Sequence, residues 1–453
     1  MNKNIFREYD IRGVVENDLD DKTVFLIGKS FGTYMQRNGL KIVGVSGDVR
    51  NTTPRLVSNL IKGLISTGVN VIELGLLPTP ANYFSLHYID IDASIQVTGS
   101  HNPAEFNGFK ISIKGDVFYG SKIAELLQII ESDNFVVGEG KLESINIIDS
   151  YINKIAEQFN FKQKLNVVFD SANAAGCLVF PAITEKIDIS CYELYCEIDS
   201  TFPNHHPDPT KDDNLVDIIK VVKENSLDIG IAFDGDADRI VAIDELGRII
   251  RSDILMAIFV RSLVGQIDEG SSIVYDVKCS DALKESIQLC GFQPVMWKTG
   301  HSLIKEKMKS VGAQFGGEMS GHIFFADRYY GYDDALYAAL RLIEIIDKTG
   351  KKLSQLFDEI PRYFSTPEIR SECDDDLKFV IVEKCAEYFK NNYHCDLIDG
   401  VRINFDEGWG LVRASNTEPV IVSRFEAKKP ELLKKYKSLV TDKLIFFSKQ
   451  YED

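Results

Sequence analysis

The sequence predicts an α/β protein in which three βαβ-type mixed-sheet domains are followed by a C-terminal α+β domain around a central cleft. Three observations carry this expectation. Short β-branched runs alternate with helical stretches until ~90 residues from the end, the mark of βαβ units with a largely parallel sheet. That order of elements occurs three times over. Late strands in each round stop at polar loops, and since parallel α/β sheets gather ligands at the carboxyl ends of their strands, the loops are expected to face one cleft. A length of 453 residues agrees with three or four domains of ordinary size. The divisions are expected at 1–147, 148–250, 251–362 and 363–453.

The opening stretch Phe6-Arg7-Glu8-Tyr9-Asp10-Ile11-Arg12-Gly13 reads as an N-terminal strand entering a turn. A helical pattern over 21–36 leads to an apolar strand at 41–45, which closes at Ser46-Gly47-Asp48. A second helix (54–67) and a strand (70–74) follow, then a strand at 93–97 that runs into Thr98-Gly99-Ser100-His101-Asn102-Pro103. Gly99 lets the backbone turn tightly there, and Pro103 stops regular structure. Asn107-Gly108-Phe109-Lys110 reads as a turn before a further apolar run. In the second round, strands at 165–170, 189–194 and 229–233 end with Asp234-Gly235-Asp236-Ala237-Asp238-Arg239. In the third, the strand at 272–275 ends at Asp276-Val277-Lys278, and that at 294–297 ends at Lys298-Thr299-Gly300-His301-Ser302. The strand at 313–315 stops at Gly316-Gly317-Glu318-Met319-Ser320-Gly321-His322. Beyond a connector at 361–367 come a helix (379–391), short strands (401–405, 410–413), the loop Arg413-Ala414-Ser415-Asn416-Thr417-Glu418-Pro419, another strand and a Lys-rich helix from 430.

Composition narrows the function classes. Hydrophobic residues at 44 % and charged residues at 26 % are those of a soluble globular protein. The N-terminus lacks a secretory pattern and no later run is long enough for a bilayer, so the expected location is cytoplasmic. A net charge of −17 disfavours nucleic acid and acidic membranes. A small anionic substrate stays compatible, because bulk charge is screened within about 8 Å and a few Arg and Lys in a cleft suffice for phosphate. The eight cysteines (177, 191, 196, 279, 290, 373, 385 and 395) form no Cys-x-x-Cys pair, which argues against a zinc or disulfide framework; they are expected to be buried thiols. The run Asp374-Asp375-Asp376 reads as a solvated face or helix start.

Ser100, at the end of its strand beside an imidazole, reads as a nucleophile, although Ser-His neighbours are also common in plain turns. The run after 107 can bring the Lys110 ammonium back towards it. Asp234, Asp236 and Asp238 alternate across a turn, and three close carboxylates repel unless a cation lies among them. Oxygen-only ligands point to a hard ion, Mg²⁺ first. A calcium loop is the rival, with Glu245 at its closing position, but Arg239 stands where that loop needs glycine and a strand flanks it where a helix belongs. A cation placed against Ser100 would neutralise a phosphate on the serine oxygen, with Arg239 holding a further oxygen, which is most of what phosphoryl transfer asks of a protein. Arg413, Ser415, Asn416 and Thr417 make a donor-dense loop suited to a phosphate that is gripped but not transferred, or a polar hairpin. Glu318, Ser320 and His322 suit vicinal sugar hydroxyls, and equally a loop with a satisfied histidine. His301 and Lys298 fit a site or the surface alike. His87, His205, His206 and His394 sit in no motif, and Trp297 and Trp409 read as core.

With these stretches together, the chain resembles the α-D-phosphohexomutase family, and within it the phosphomannomutase/phosphoglucomutase group. The resemblance runs from Phe6 to Pro419 with the motifs in the family's order. It implies that Ser100 carries the phosphoserine, and that Asp234, Asp236 and Asp238, with the Ser100 oxygen, bind Mg²⁺ next to Arg239. It also implies that Glu318, Ser320 and His322 read sugar hydroxyls, and that Arg413, Ser415, Asn416 and Thr417 grip the distal phosphate. Tyr9, Arg12, His101, Lys110, Lys278 and His301 become active-site residues by the same resemblance, with His101, Lys110, Arg12 and Arg239 on the catalytic side. Gly99, where alanine is commoner, is expected to loosen the nucleophile's backbone slightly. The implied reaction is reversible phosphoryl transfer between the 1- and 6-positions of a hexose phosphate, mannose or glucose, through a bound hexose 1,6-bisphosphate that is both intermediate and activator. Hexose phosphates are the expected partners, and the chain is expected as a monomer or weak homodimer. Rival readings are a phosphoglucosamine mutase, a hydrolase that discharges the phosphoserine to water, and a non-catalytic sugar-phosphate binder.

Overall fold

Short runs rich in apolar residues become the inner strands. The computed structural model describes residues 1–451, and these fall into two units. The first comprises Met1–Ser252 with Ser320–Leu356, the second Asp253–Met319 with the residues from Phe357 onward.

The first unit begins with β1 (Ile11–Val14), β2 (Ile42–Gly47), β3 (Asn70–Leu76), β4 (Ala93–Val97), β5 (Phe106–Ile113), β6 (Asp116–Val117) and β7 (Leu142–Ser144). The strands lie in the order β1-β5-β4-β2-β3-β7, with β6 on β5. β4, β2 and β3 run parallel, whereas β5 is antiparallel to both β4 and β1. Helices Asp21–Arg37, Thr53–Ile65 and Ser121–Glu131 bury Val24, Ile27, Phe31, Leu56, Leu60, Leu64 and Leu126 against this sheet. The first of these helices starts where the Asp20 side chain accepts from Thr23 N–H, and the second has Pro54 in its first turn, where a missing N–H costs nothing.

Asn107 and Gly108 are interior to β5, not a turn. β1 completes the ladder there, pairing Gly13 with Asn107 and Arg12 with Gly108, and from Phe109 onward β4 pairs on the other side, starting at Val97. The Asn107 amide nitrogen donates to Thr52 and Thr53 Oγ1, each at 3.0 Å, while its Oδ1 accepts Gly108 N–H at 2.9 Å. This register sets Lys110 opposite Gln96 of β4.

The second sheet contains β8 (Asn166–Asp170), β9 (Ser190–Leu194), β10 (Ile229–Phe233), β11 (Ile240–Asp244) and β12 (Ile249–Ile250), in the order β12-β11-β10-β8-β9. β10 is buried at every residue, parallel to β8 and antiparallel to β11. The unit closes with strand Ile323–Phe325 and helix Ala335–Thr349, which Asp334 caps by accepting from Tyr337 N–H. Tyr151 and Tyr329 also donate to Asp334, at 2.9 and 2.8 Å. Burial outweighs these bonds and pushes the Asp334 carboxyl up to about 6.

In the second unit, β13 (Ser272–Asp276) lies between β14 (Gln293–Trp297) and β15 (Phe315–Gly317), all parallel. Strands Val401–Phe405, Gly408–Ala414 and Val420–Ala427 form the middle of an antiparallel sheet. Helices Asp375–Lys390 and Pro430–Ser448 cover it, enclosing Ile381, Phe389, Val412, Phe425 and Val440. Asp374 stands at the N-cap of the first helix, so the acidic run is a helix start. All eight thiols are free, but only Cys279 and Cys385 are buried. The other six are half-buried; Cys191, for instance, lies on the edge strand β9. Among the described residues, no helix is long and apolar enough to cross a membrane.

Candidate active site

The site in the first unit is built where β4 and β10 stop. Ser100 follows β4 with φ +48°, a left-handed conformation that a serine holds only under constraint. Three bonds supply part of that constraint. Ser100 N–H donates to Thr98 Oγ1 at 2.8 Å, and Thr98 Oγ1–H and Gly99 N–H donate to Asp48 Oδ2 at 2.8 and 3.1 Å. A Cβ at Gly99 would stand 2.5 Å from Arg50 Cζ, so the loop is pressed close against the guanidinium.

The Ser100 hydroxyl lies 3.1 Å from Asp234 Oδ2 and 3.1 Å from His101 Nδ1. Asp234, Asp236 and Asp238 are fully buried, and their oxygens approach within 4.8 Å of one another. The turn at Ala237, φ +60°, lets Asp234 Oδ1 accept Asp238 N–H and Arg239 N–H, both at 3.1 Å. Lys110, 6 % exposed, reaches Asp236 Oδ2 at 2.6 Å and Asp238 Oδ2 at 2.5 Å. His322 Nε2 lies 3.3 Å from Asp238 Oδ1 and 3.3 Å from Arg239 Nε, while its Nδ1 lies 3.2 Å from Ser320 Oγ. Arg12 donates to Asn102 Oδ1 at 2.8 Å and to Asp10, and Tyr9 is buried just before β1. The structure therefore brings together Ser100, His101, Lys110, Arg12, Arg239, Ser320, His322 and the three aspartates.

These neighbours split the charge states. Burial, then the Arg239 and Arg12 charges, holds the His101 imidazole well below its ordinary range, so it is neutral. Burial opposes the Lys110 charge, but Asp236, Asp238 and Asp234 overcome it and raise the ammonium. Burial and the two neighbouring carboxylates push Asp234 well up. Asp238 goes the other way: burial resists its ionisation, yet Lys110, His322 and Arg239 together outweigh that and hold it down. The donor set fits Mg²⁺. It consists of carboxylate oxygens and one hydroxyl, and the buried Asp236 Oδ1 has no hydrogen-bond partner.

The remaining residues lie in the second unit. Lys278, 6 % exposed, pairs with Glu368 Oε1 at 2.7 Å and faces Asp276 Oδ2 at 3.7 Å. His301 opens helix His301–Val311, and the buried Glu318 accepts Gly300 N–H at 2.6 Å. Arg413 Nε donates to Asp399 Oδ2 at 2.9 Å, and Thr299 N–H donates to the same oxygen at 3.1 Å. One carboxylate thus ties the Arg413 loop to the Thr299–His301 loop. The Ser415 hydroxyl accepts Thr417 N–H and Glu418 N–H at 3.3 and 3.1 Å, which shapes its own turn; Asn416 is half-buried and Thr417 exposed.

Comparison with known proteins matches this arrangement segment by segment. The alpha/beta/alpha domains I, II and III of phosphoglucomutase/phosphomannomutase match residues 3–136, 149–247 and 251–364, and the C-terminal domain matches 368–443. The chain belongs to the phosphoglucomutase/phosphomannomutase family. It is 43 % identical to a phosphomannomutase/phosphoglucomutase of Pseudomonas putida over 97 % of this chain and 95 % of that one. A phosphoglucomutase of Neisseria gonorrhoeae is 37 % identical, over 94 % of each. The crystal structure of a phosphoglucomutase/phosphomannomutase family protein from Burkholderia thailandensis superposes with a TM-score of 0.93 at 36 % identity, covering 99 % of this chain and 98 % of that one. As a member of the phosphoglucomutase/phosphomannomutase family the chain is a phosphohexomutase, an enzyme of the isomerase class.

Several residues that pair with these groups carry no motif of their own. Asp48 and Arg50 follow β2 as Ser100 follows β4, and their signal is that position at the carboxyl end of a parallel strand. Asp399 and Glu368 pair with Arg413 and Lys278 from loops that neither spacing nor composition marks. His205 also has a partner, Asp170 Oδ2 at 2.9 Å, where the sequence offers only adjacent histidines.

Proposed function

We propose that the chain interconverts hexose 1-phosphate and hexose 6-phosphate, with mannose or glucose as the sugar, by way of a phosphorylated Ser100. The observation that carries this reading is the Ser100 hydroxyl, 3.1 Å from Asp234 Oδ2 within a buried triple-carboxylate cluster and 3.1 Å from the His101 imidazole. In one half-reaction the bond from Ser100 Oγ to phosphorus breaks as the free hydroxyl of the bound sugar phosphate forms its own, and the hydroxyl proton leaves to a base. The resulting 1,6-bisphosphate turns over, and Ser100 takes the other phosphoryl group.

The residues have separable roles. His101, held neutral, accepts or returns a proton close to the serine oxygen. Lys110, Arg239 and Arg12 set positive charge beside the phosphoryl oxygens and hold them in line. Mg²⁺ held by Asp234, Asp236, Asp238 and the Ser100 oxygen would supply further charge neutralisation. Tyr9, Lys278, His301, Glu318, Ser320 and His322 bind the sugar, while Arg413, Ser415, Asn416 and Thr417 grip the phosphate that stays. In this scheme the segments 1–147, 148–250, 251–362 and 363–453 supply the phosphoserine, metal, sugar and phosphate loops in turn.

Intact mass spectrometry of the purified protein, after incubation with glucose 1,6-bisphosphate, tests the reading. One added phosphate that Ser100→Ala lacks, with isomerisation of mannose 1-phosphate or glucose 1-phosphate lost in the same variant and on chelation of Mg²⁺, is the expected result. Steady release of inorganic phosphate with no isomer formed would identify a hydrolase, and binding without turnover would identify a sensor.

A further inference from the structure

Arg50 lies beneath the nucleophile loop and is 2 % exposed. Its guanidinium reaches four backbone carbonyls of one short segment. Nη2 donates to Ser100 O at 2.8 Å and Asn102 O at 2.6 Å, and Nη1 donates to Pro103 O at 2.6 Å and Phe106 O at 3.1 Å. Nε completes the fork by donating to Asp48 Oδ2 at 3.2 Å. Asp48, also 2 % exposed, holds the donors of the same loop, Thr98 Oγ1–H and Gly99 N–H. The ring of Phe202 covers the guanidinium at 5.2 Å. The charged pair therefore clamps both the donors and the acceptors of the turn in which Ser100 holds its left-handed backbone.

We propose that Arg50, with Asp48, is a positioning residue for phosphoryl transfer: the pair fixes the Ser100 backbone so that Oγ keeps one line of approach to phosphorus. The inference rests on the mutase reading above. A mutase uses the same oxygen twice in each turnover, as the leaving atom in one half-reaction and as the attacking atom in the other, and in-line displacement tolerates little drift between them. A left-handed serine left to itself would relax towards an ordinary conformation and carry Oγ with it. Five donors in a rigid plane can hold four carbonyls and a carboxylate at once, whereas the ammonium of lysine, a point with three donors, cannot.

The test is steady-state kinetics of Arg50→Lys with its thermal midpoint and the rate at which glucose 1,6-bisphosphate phosphorylates Ser100. A folded variant is expected to lose about 100-fold in kcat and in that phosphorylation rate, the scale of loss for a displacement near 1 Å, with KM for the sugar phosphate within about twofold. A folded Arg50→Lys with kcat within about threefold of wild type would overturn the proposal. Should Arg50→Lys fail to fold, Asp48→Asn decides. It keeps the side chain's shape but removes the charge that accepts Thr98 Oγ1–H, Gly99 N–H and Arg50 Nε–H. The same split of kcat from KM supports the proposal, and wild-type kcat sinks it. A wild-type protein that neither takes up phosphate nor isomerises would sink the mutase reading itself, before any variant is compared.

Discussion

The Lys110 ammonium stands 2.6 Å from Asp236 Oδ2 and 2.5 Å from Asp238 Oδ2, a buried contact that offsets the charge of three carboxylates on one turn. Breaking such a pair leaves charge buried without compensation, which costs about 3–5 kcal/mol. Lys110→Met should therefore lower the thermal midpoint sharply in the presence of a chelator. A cation that binds the folded state stabilises it by mass action, by about 2.7 kcal/mol at a hundredfold excess over Kd. Saturating Mg²⁺ should raise the midpoint of Lys110→Met more than that of wild type. Equal gains would show that the ammonium and the metal do not answer the same charge.

Gly235, between the first two aspartates, predicts a different kind of loss. A Cβ at this position would stand 2.3 Å from Ser100 O, a backbone atom that cannot swing aside. Gly235→Ala forces the aspartate loop and the serine loop apart. The cost in stability is about 1–3 kcal/mol, that of overpacking, while phosphoryl transfer should fall about 100-fold. Comparing urea unfolding with the rate of Ser100 phosphorylation separates the two effects. A rate that falls only as far as the folded fraction falls would refute a specific loss of alignment.

Arg402 makes a purely structural prediction in the second unit. Its guanidinium donates to Val277 O at 2.7 Å and to Asp281 Oδ1 at 2.7 Å, and lies 3.9 Å over the Trp409 ring. Lysine keeps the charge but loses the planar stack and the fork, so Arg402→Lys should destabilise by about 1–3 kcal/mol. Trp409 is fully buried, and its fluorescence reports the change directly. An unfolding midpoint equal to that of wild type would show that charge alone suffices there.

What could be read in the sequence was whatever a short segment decides by itself. Ala93–Val97 alternates apolar with polar residues and Ile229–Phe233 is a continuous apolar run; each is closed by a polar turn, and both end where expected. Asp234, Asp236 and Asp238 converge because their spacing already brings them together. Asn107-Gly108 failed as a turn because β1, about ninety residues earlier, pairs with both residues, a long-range fact no local signal carries. Arg50, Glu368 and Asp399 stayed invisible for the same reason. Their partners lie 50, 90 and 14 residues away, so only the folded chain reveals what each one holds.

Two ion pairs outside the serine and aspartate loops give pH responses of opposite sign. Lys278, outweighing the effect of burial, holds Glu368 at about 2 against an ordinary value of 4.5. A depressed carboxyl stabilises fully above its unfolded value and loses that contribution as pH falls through the folded one, here from 4.5 towards 2. His205 is shifted upward: burial opposes its charge, but the Asp170 carboxylate at 2.9 Å prevails. Its contribution is full below 6.5, the ordinary value, and fades as pH rises through the folded value. Thermal midpoints measured from acid to mildly alkaline pH should therefore show Glu368→Gln flattening the acid limb and His205→Asn flattening the upper limb, above 6.5. If Glu368→Gln retained the wild-type acid slope, the Lys278 pair would not be what sets that limb, and a wild-type upper limb in His205→Asn would discount the Asp170 pair in the same way.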